Sequence, residues 1–276
     1  MNQPFYTPEQ LRTLPDAGFR YLKTSRSGHV FTITLNRPEK RNAFHEPMAE
    51  EIAFALGYAG REETIRCIVI KAAGPVFCAG ADLTSFLDEG KENIRAIPAP
   101  LCPVNLGEAF AALNKPSIAQ VEGPVYAGGF LVLAGVTLAY AVPEAVFSLP
   151  EVKRGLWPMQ VMASLKAILP ARKILEMCIT ARTYTAGEAL AMGLISFVAR
   201  KEIIENEVTD LARAISGNAP LAISKGIEAF RALSGQPSGP DYRTLREKLE
   251  FLLQSEDAAE GIAAFKEKRS PVWKNR

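Results

Sequence analysis

Residues 123–143 read GPVYAGGFLVLAGVTLAYAVP, 21 positions without a charged side chain. That length suffices to span a bilayer, so the reading of this stretch decides the fold class. Its own residues argue against one continuous helix. Pro124, Gly128, Gly129 and Gly135 interrupt it, and Glu122 and Glu144 close its ends as solvated charges. The better parse is a glycine loop, a short buried helix and then a buried strand.

Neighbouring segments extend that pattern. Tyr21–Ser25 and Val30–Leu35 read as a hairpin around Ser27-Gly28. Met48, Ile52, Ala55, Leu56 and Ala59 recur at helical spacing behind Pro47. RCIVIKA at 66–72 and SIAQV at 117–121 are short apolar strands running into glycine; 138–141 and 146–149 are further strands. From Met159 onward the pattern is mainly helical, with Leu245, Leu249, Leu252, Ile262 and Phe265 on apolar faces of 241–268. Pro98, Pro100 and Pro103 make 88–105 an irregular, mobile loop of the kind that walls binding sites. The expected organisation is α/β. An N-terminal arm covers 1–19, a strand-and-helix core 20–200, and a helical region 201–276.

At 276 residues the chain can build a sizeable core without disulfides or metals. Its formal net charge of +2 argues against a nucleic-acid or polybasic membrane surface. The opening MNQPFYTPEQLRTLP lacks a basic start and an apolar run, so the cytoplasm is the expected compartment. Cys67, Cys78, Cys102 and Cys178 show no C-x-x-C spacing, and His29 and His45 fit no metal or triad pattern. Neither a metal nor a disulfide framework is expected, and both histidines read as surface residues. Phosphate-binding, nucleophile-elbow and dinucleotide motifs are missing. Carboxylates and backbone groups are left to carry any chemistry.

Two segments share a local design. VIKAAGPVFCAGADL and AQVEGPVYAGGFLVL each pass from a strand through small residues toward a helix. Small residues let backbone N–H groups approach a ligand, and a helix start offers unpaired donors. Facing each other, such loops would make a two-donor oxyanion hole; taken singly, each also reads as a tight turn.

NRPEKRNAF at 36–44, FCAGADL at 77–83, EGPVYAGGFLVLAGVTLAYA at 122–141, FSLPEVKRGLWP at 147–158, TARTYTAGEALAMGLI at 180–195 and SEDAAEGIAAFKEKRSP at 255–271 resemble the enoyl-CoA hydratase/isomerase (crotonase) family. The resemblance runs in order from about residue 20 to the end. It implies a crotonase-like spiral of ββα units with a C-terminal helical trimerisation region. It implies an acyl-CoA substrate, no separate cofactor, and a homotrimer or dimer of trimers without nucleic acid or membrane insertion.

By the same resemblance, the backbone N–H groups of Ala81 and Gly128 hold the thioester oxygen. The CoA moiety lies near Lys40, Arg41 and Ala43 and near Ala79, Gly80, Asp82 and Leu83. Phe265 and Lys268 match tail positions that reach CoA, sometimes of a neighbouring subunit. For Asp82 the residues alone suggest a simpler task, tying down its own turn.

Hydratases of the family carry two glutamates. One is matched by Glu151, in FSLPE; the other position holds Leu131. Where dienoyl-CoA isomerase relatives carry an aspartate, this chain has Met159. One acid among Leu131, Trp157 and Met159 favours a proton shift, 3-enoyl-CoA to 2-enoyl-CoA, over hydration. Two alternatives stay open: a hydratase, dehydratase or other crotonase reaction, and a non-catalytic acyl-CoA-binding protein.

Overall fold

The computed structural model describes residues 4–16, 18–82, 96–233 and 239–276. Leu83 and the 88–95 part of the expected mobile loop lie outside them. Leu22–Ser27 (β1) and Val30–Leu35 (β2) form the hairpin, with Gly28 at φ +57° in its turn. Glu46–Arg61 (α1) follows, with Pro47 in its first turn, and then Cys67–Ala72 (β3). Leu106–Ala111 (α2) is capped by Asn105, whose side chain accepts from the Glu108 N–H. Ser117–Val121 (β4), Val125–Tyr126 (β5), a 3-10 turn at Ala127–Gly129, Phe130–Gly135 (α3) and Leu138–Ala141 (β6) resolve the uncharged stretch as its glycines require. No helix among the described residues is long and apolar enough to cross a membrane.

Val146–Ser148 (β7), a 3-10 turn at Glu151–Arg154, Met159–Leu165 (α4) and Ala171–Thr180 (α5) come next. Tyr184–Thr185 (β8), Ala186–Ala191 (α6) and Phe197–Val198 (β9) precede the helices Ile204–Ser216 (α7), Pro220–Ala232 (α8), Gly239–Leu253 (α9) and Glu256–Glu267 (α10). Two-residue strands such as β8 and β9 carry no periodicity, so the helical pattern dominates the reading of that region.

The strands sort into two sheets. The larger runs β1-β2-β3-β4-β6-β9, parallel throughout except for the β1–β2 hairpin. The smaller runs β5-β7-β8. β4 is buried at every position, as expected of a parallel strand covered on both faces. Successive turns of chain repeat one plan: a strand in the large sheet, a short pairing in the second layer, then a helix. β4, β5 and α3 make one such turn, and β6, β7 and α4 the next. In the two earlier turns the second-layer pairing shrinks to single parallel bridges, Phe44 with Ala81 and Cys78 with Val125.

Helix packing fixes where the glycine loop ends up. A Cβ on Gly135 would sit 2.4 Å from Phe110, so α3 approaches α2 as only glycine allows. Phe130, 0% exposed, anchors the other end of α3, a burial contributing roughly 1.5–3 kcal/mol. Near the N-terminus, Tyr6 and Leu11 are buried, and the Tyr6 hydroxyl donates to the Glu50 carbonyl, docking this part of the arm on α1.

The long apolar-faced segment at 241–268 is two helices. Ser255 stops the first and caps α10 by accepting from the Ala258 N–H. Several of its large apolar side chains are not inside. Leu249, Phe251, Leu253 and Ile262 are all exposed, and Phe265 is 85% exposed. The chain beyond α10 is tied to the start of β3 and the end of α7, where Arg66 donates to the Trp273 carbonyl and the Trp273 indole to the Gly217 carbonyl.

Candidate active site

The loop after β3 is built on Asn42, which is fully buried. Its amide donates to the carbonyls of Ala73 and Val76, and its side-chain oxygen accepts from the Arg37 N–H. Arg41 and Asn42 both take left-handed backbone, at φ 52° and 53°. Ala79 N–H donates to the Arg41 carbonyl, seating the small residues of CAGAD against this turn. Gly80 has φ +95°, and a Cβ there would lie 2.5 Å from the Cβ of Ala127. Glycine is needed for both its conformation and its close approach.

The direction of the Ala81 N–H follows from its bridge. Phe44 N–H donates to the Gly80 carbonyl (2.7 Å), and Asp82 N–H donates to the Phe44 carbonyl (2.6 Å). Successive amides of extended chain point to opposite sides, so Ala81 N–H turns away from Phe44. On that other side lies Gly128: its Cβ position is 3.4 Å from the Ala81 nitrogen. Gly128 is second in its 3-10 turn, where an N–H has no partner within the helix. Its neighbour Ala127 takes φ 48°, unusual for a residue with a side chain, and this aims the turn. Ala81 and Gly128 therefore meet across a gap bounded by small residues.

Glu151 reaches the same edge by strand pairing. β5 and β7 are parallel, with Tyr126 opposite Ser148. Gly128 and Glu151 follow those paired residues at the same end of both strands. Glu151 is half-buried, and its Oε2 is buried with no hydrogen-bond partner among the described residues. Burial pushes its carboxyl above the ordinary range, partly offset by its own backbone N–H and the Arg154 charge. A carboxylate so placed can take and return a proton. Leu131, 8% exposed, occupies α3 one turn beyond Gly128.

Other expected residues fall as follows. Lys40 and Arg41 are exposed, and Ala43 and Ala79 half-buried, on the paired loops. Trp157 is half-buried, its indole N–H directed to the Met162 sulfur. Met159 is 64% exposed at the start of α4. No hydrogen bond or ion pair among the described residues ties Phe265 or Lys268 to these loops. Lys268 ends α10 in left-handed backbone at φ 53°.

Asp82 does more than hold its own turn: it pairs with Arg37 at 2.8 Å, across two loops. His45 is no surface histidine. It precedes α1 half-buried, edge-on to Tyr21 at 4.3 Å, and burial with the Arg37 charge holds it down to about 4. Glu51, also unflagged by the sequence, is buried and accepts from the N–H groups of Arg20 and Tyr21 at 2.8 Å each. Its position within an apolar helix face carried no signal of that task. Among the described residues no group of three His, Cys, Asp or Glu could hold a metal, and the four cysteines are free.

Opposed amide donors beside a desolvated carboxylate can polarise a carbonyl oxygen while a neighbouring C–H loses its proton. The chain belongs to the enoyl-CoA hydratase/isomerase (crotonase) family, whose profile matches residues 25–276. It is 34% identical over 257 residues to enoyl-CoA hydratase EchA19 of Mycobacterium tuberculosis, covering 91% of this chain and 95% of that one. It is 34% identical over 265 residues to carnitinyl-CoA dehydratase of Salmonella typhi, covering 92% and 98%. Among solved structures, a probable enoyl-CoA hydratase/isomerase from Mycobacterium abscessus superposes with TM-score 0.82 at 27% identity, covering 94% and 100%. The enoyl-CoA hydratase from Bacillus anthracis gives 0.82 at 25%, covering 93% and 100%. The α/β architecture with a helical C-terminal region is thus the crotonase fold.

Proposed function

We propose that this acyl-CoA enzyme shifts a double bond, converting a 3-enoyl-CoA to the 2-enoyl-CoA with Glu151 as the single proton shuttle. The thioester oxygen accepts from the N–H groups of Ala81 and Gly128. Glu151 takes a proton from C2, the electron pair moves into a dienolate held by those donors, and the same carboxyl returns the proton at C4. Fixed donors stabilise the developing charge without reorganising, and one is worth roughly 3–4 kcal/mol. The carrying observation is the acid count: Glu151 is desolvated, while Leu131 is buried where a second glutamate would activate water.

The relatives named hydratase and dehydratase favour a second reading, hydration or dehydration of the same class of ester. Supplying 3-enoyl-CoA and 2-enoyl-CoA in parallel separates them. Conversion of the first with little hydration of the second supports isomerisation; robust hydration refutes it. Tight binding with turnover of neither would mark an acyl-CoA-binding protein.

The exposed apolar side chains of α9 and α10 support a homotrimer or dimer of trimers, with Phe265 and Lys268 serving a CoA site of a neighbouring subunit. Sedimentation at micromolar concentration should give a trimer or hexamer; a stable monomer contradicts this.

A further inference from the structure

Ala81 is held by a bridge one residue long. Two hydrogen bonds to Phe44 set its direction, and no ladder extends them. On one side stands Gly80, which adds conformational freedom rather than stiffness. On the other stands Asp82, whose carboxylate accepts from Arg37 Nη1 at 2.8 Å. The same Nη1 donates to the Ala43 carbonyl at 2.9 Å, so one guanidinium grips both strands of the bridge just beyond its two hydrogen bonds. The Arg37 and Asp82 side chains are 11% and 9% exposed, so water neither screens nor replaces their attraction. Arg37 is itself fixed, through its N–H, by the buried Asn42.

We infer that Arg37 is a positioning residue for the oxyanion hole, acting through Asp82 to hold the Ala81 N–H toward Gly128. This rests on the oxyanion reading above. The guanidinium is turned into the protein and engaged by two oxygens of the loops, so it acts on the donor's geometry and not on CoA phosphate. A displacement of about 1 Å at a catalytic group costs on the order of 100-fold in rate, which sets the scale.

The test uses the whole 276-residue chain and butyryl-CoA carrying carbon-13 at the thioester carbonyl. Infrared difference spectra read the hydrogen bonding of that carbonyl in the bound, unreactive ester, and steady-state kinetics with 3-enoyl-CoA and 2-enoyl-CoA read turnover. Wild type should show the carbonyl stretch moved to lower frequency. Arg37→Leu should lose most of that displacement and roughly 10–100-fold in kcat, with KM changed less than about threefold. Arg37→Lys, which keeps the charge and one donor, should recover part of both. Asp82→Asn, of the same shape, should show a smaller loss and keeps the test open should Arg37→Leu fail to fold by circular dichroism.

A folded Arg37→Leu or Asp82→Asn with the wild-type carbonyl frequency and kcat overturns the inference. So does a raised KM alone, which would make Arg37 a ligand contact. A displaced wild-type carbonyl that stays displaced in Arg37→Leu removes the positioning role only. A wild type without any displacement removes the oxyanion reading, and the positioning role with it.

Discussion

The Cβ position of Gly128 lies 3.4 Å from the amide nitrogen of Ala81, so two loops 47 residues apart in the chain meet at one gap. That separation is ordinary van der Waals contact. It admits a methyl group but not the branched side chain of valine. Three expectations turn on how this gap and Glu151 are built.

Gly128→Val should fold and lose at least about 100-fold in kcat, the scale of one lost oxyanion donor. Gly128→Ala should lose much less. Circular dichroism checks the fold and turnover of the preferred ester checks the site. A folded valine variant with wild-type turnover would remove Gly128 from the chemistry.

Glu151→Gln should lose on the order of 100- to 10,000-fold in turnover yet bind acyl-CoA nearly as wild type, because the amide keeps the shape and cannot take the proton. The pH profile follows from the raised carboxyl. Ionised Glu151 is the base, so kcat/KM should fall as pH drops through a value above 4.5, the ordinary glutamate value. An acid limb centred at or below 4.5 would contradict the desolvated site.

Leu131→Glu restores an acid at the α3 position that is now apolar. It should raise hydration of 2-enoyl-CoA above the wild-type level and slow isomerisation. Product analysis on both esters reads the balance. Hydration by wild type that is unaltered in Leu131→Glu would show that this position does not set the reaction.

Lys115 gives a stability expectation outside the site. Its Nζ donates to the carbonyls of Ala59 and Glu62 at the end of α1, and burial pushes the amine down from 10.5 to about 8. Between those values the unfolded chain binds the proton and the folded chain does not. Lys115 therefore makes stability rise with pH over that window, an increment that Lys115→Met should remove. Urea midpoints at pH 8 and pH 10 for both proteins measure it, and an equal pH response in both would show that the amine titrates normally.

The sequence by itself determined most of what is local. Pro47 and the spacing from Met48 to Ala59 marked α1, and the glycines of 123–143 dictated a loop, a short helix and a strand in place of a membrane span. The small-residue loops read as tight turns that could offer donors, and the family resemblance singled out Ala81, Gly128 and the glutamate of FSLPE, Glu151, as expectations. What depends on distance through space was settled only by the tertiary structure. β8 and β9 are two residues each, too few to show a period. Glu51 caps two N–H groups 30 and 31 residues away, and Arg37 reaches Asp82 45 residues on. The open apolar faces of α9 and α10 look like core in sequence, since hydrophobic periodicity records that a face is to be covered and not what covers it.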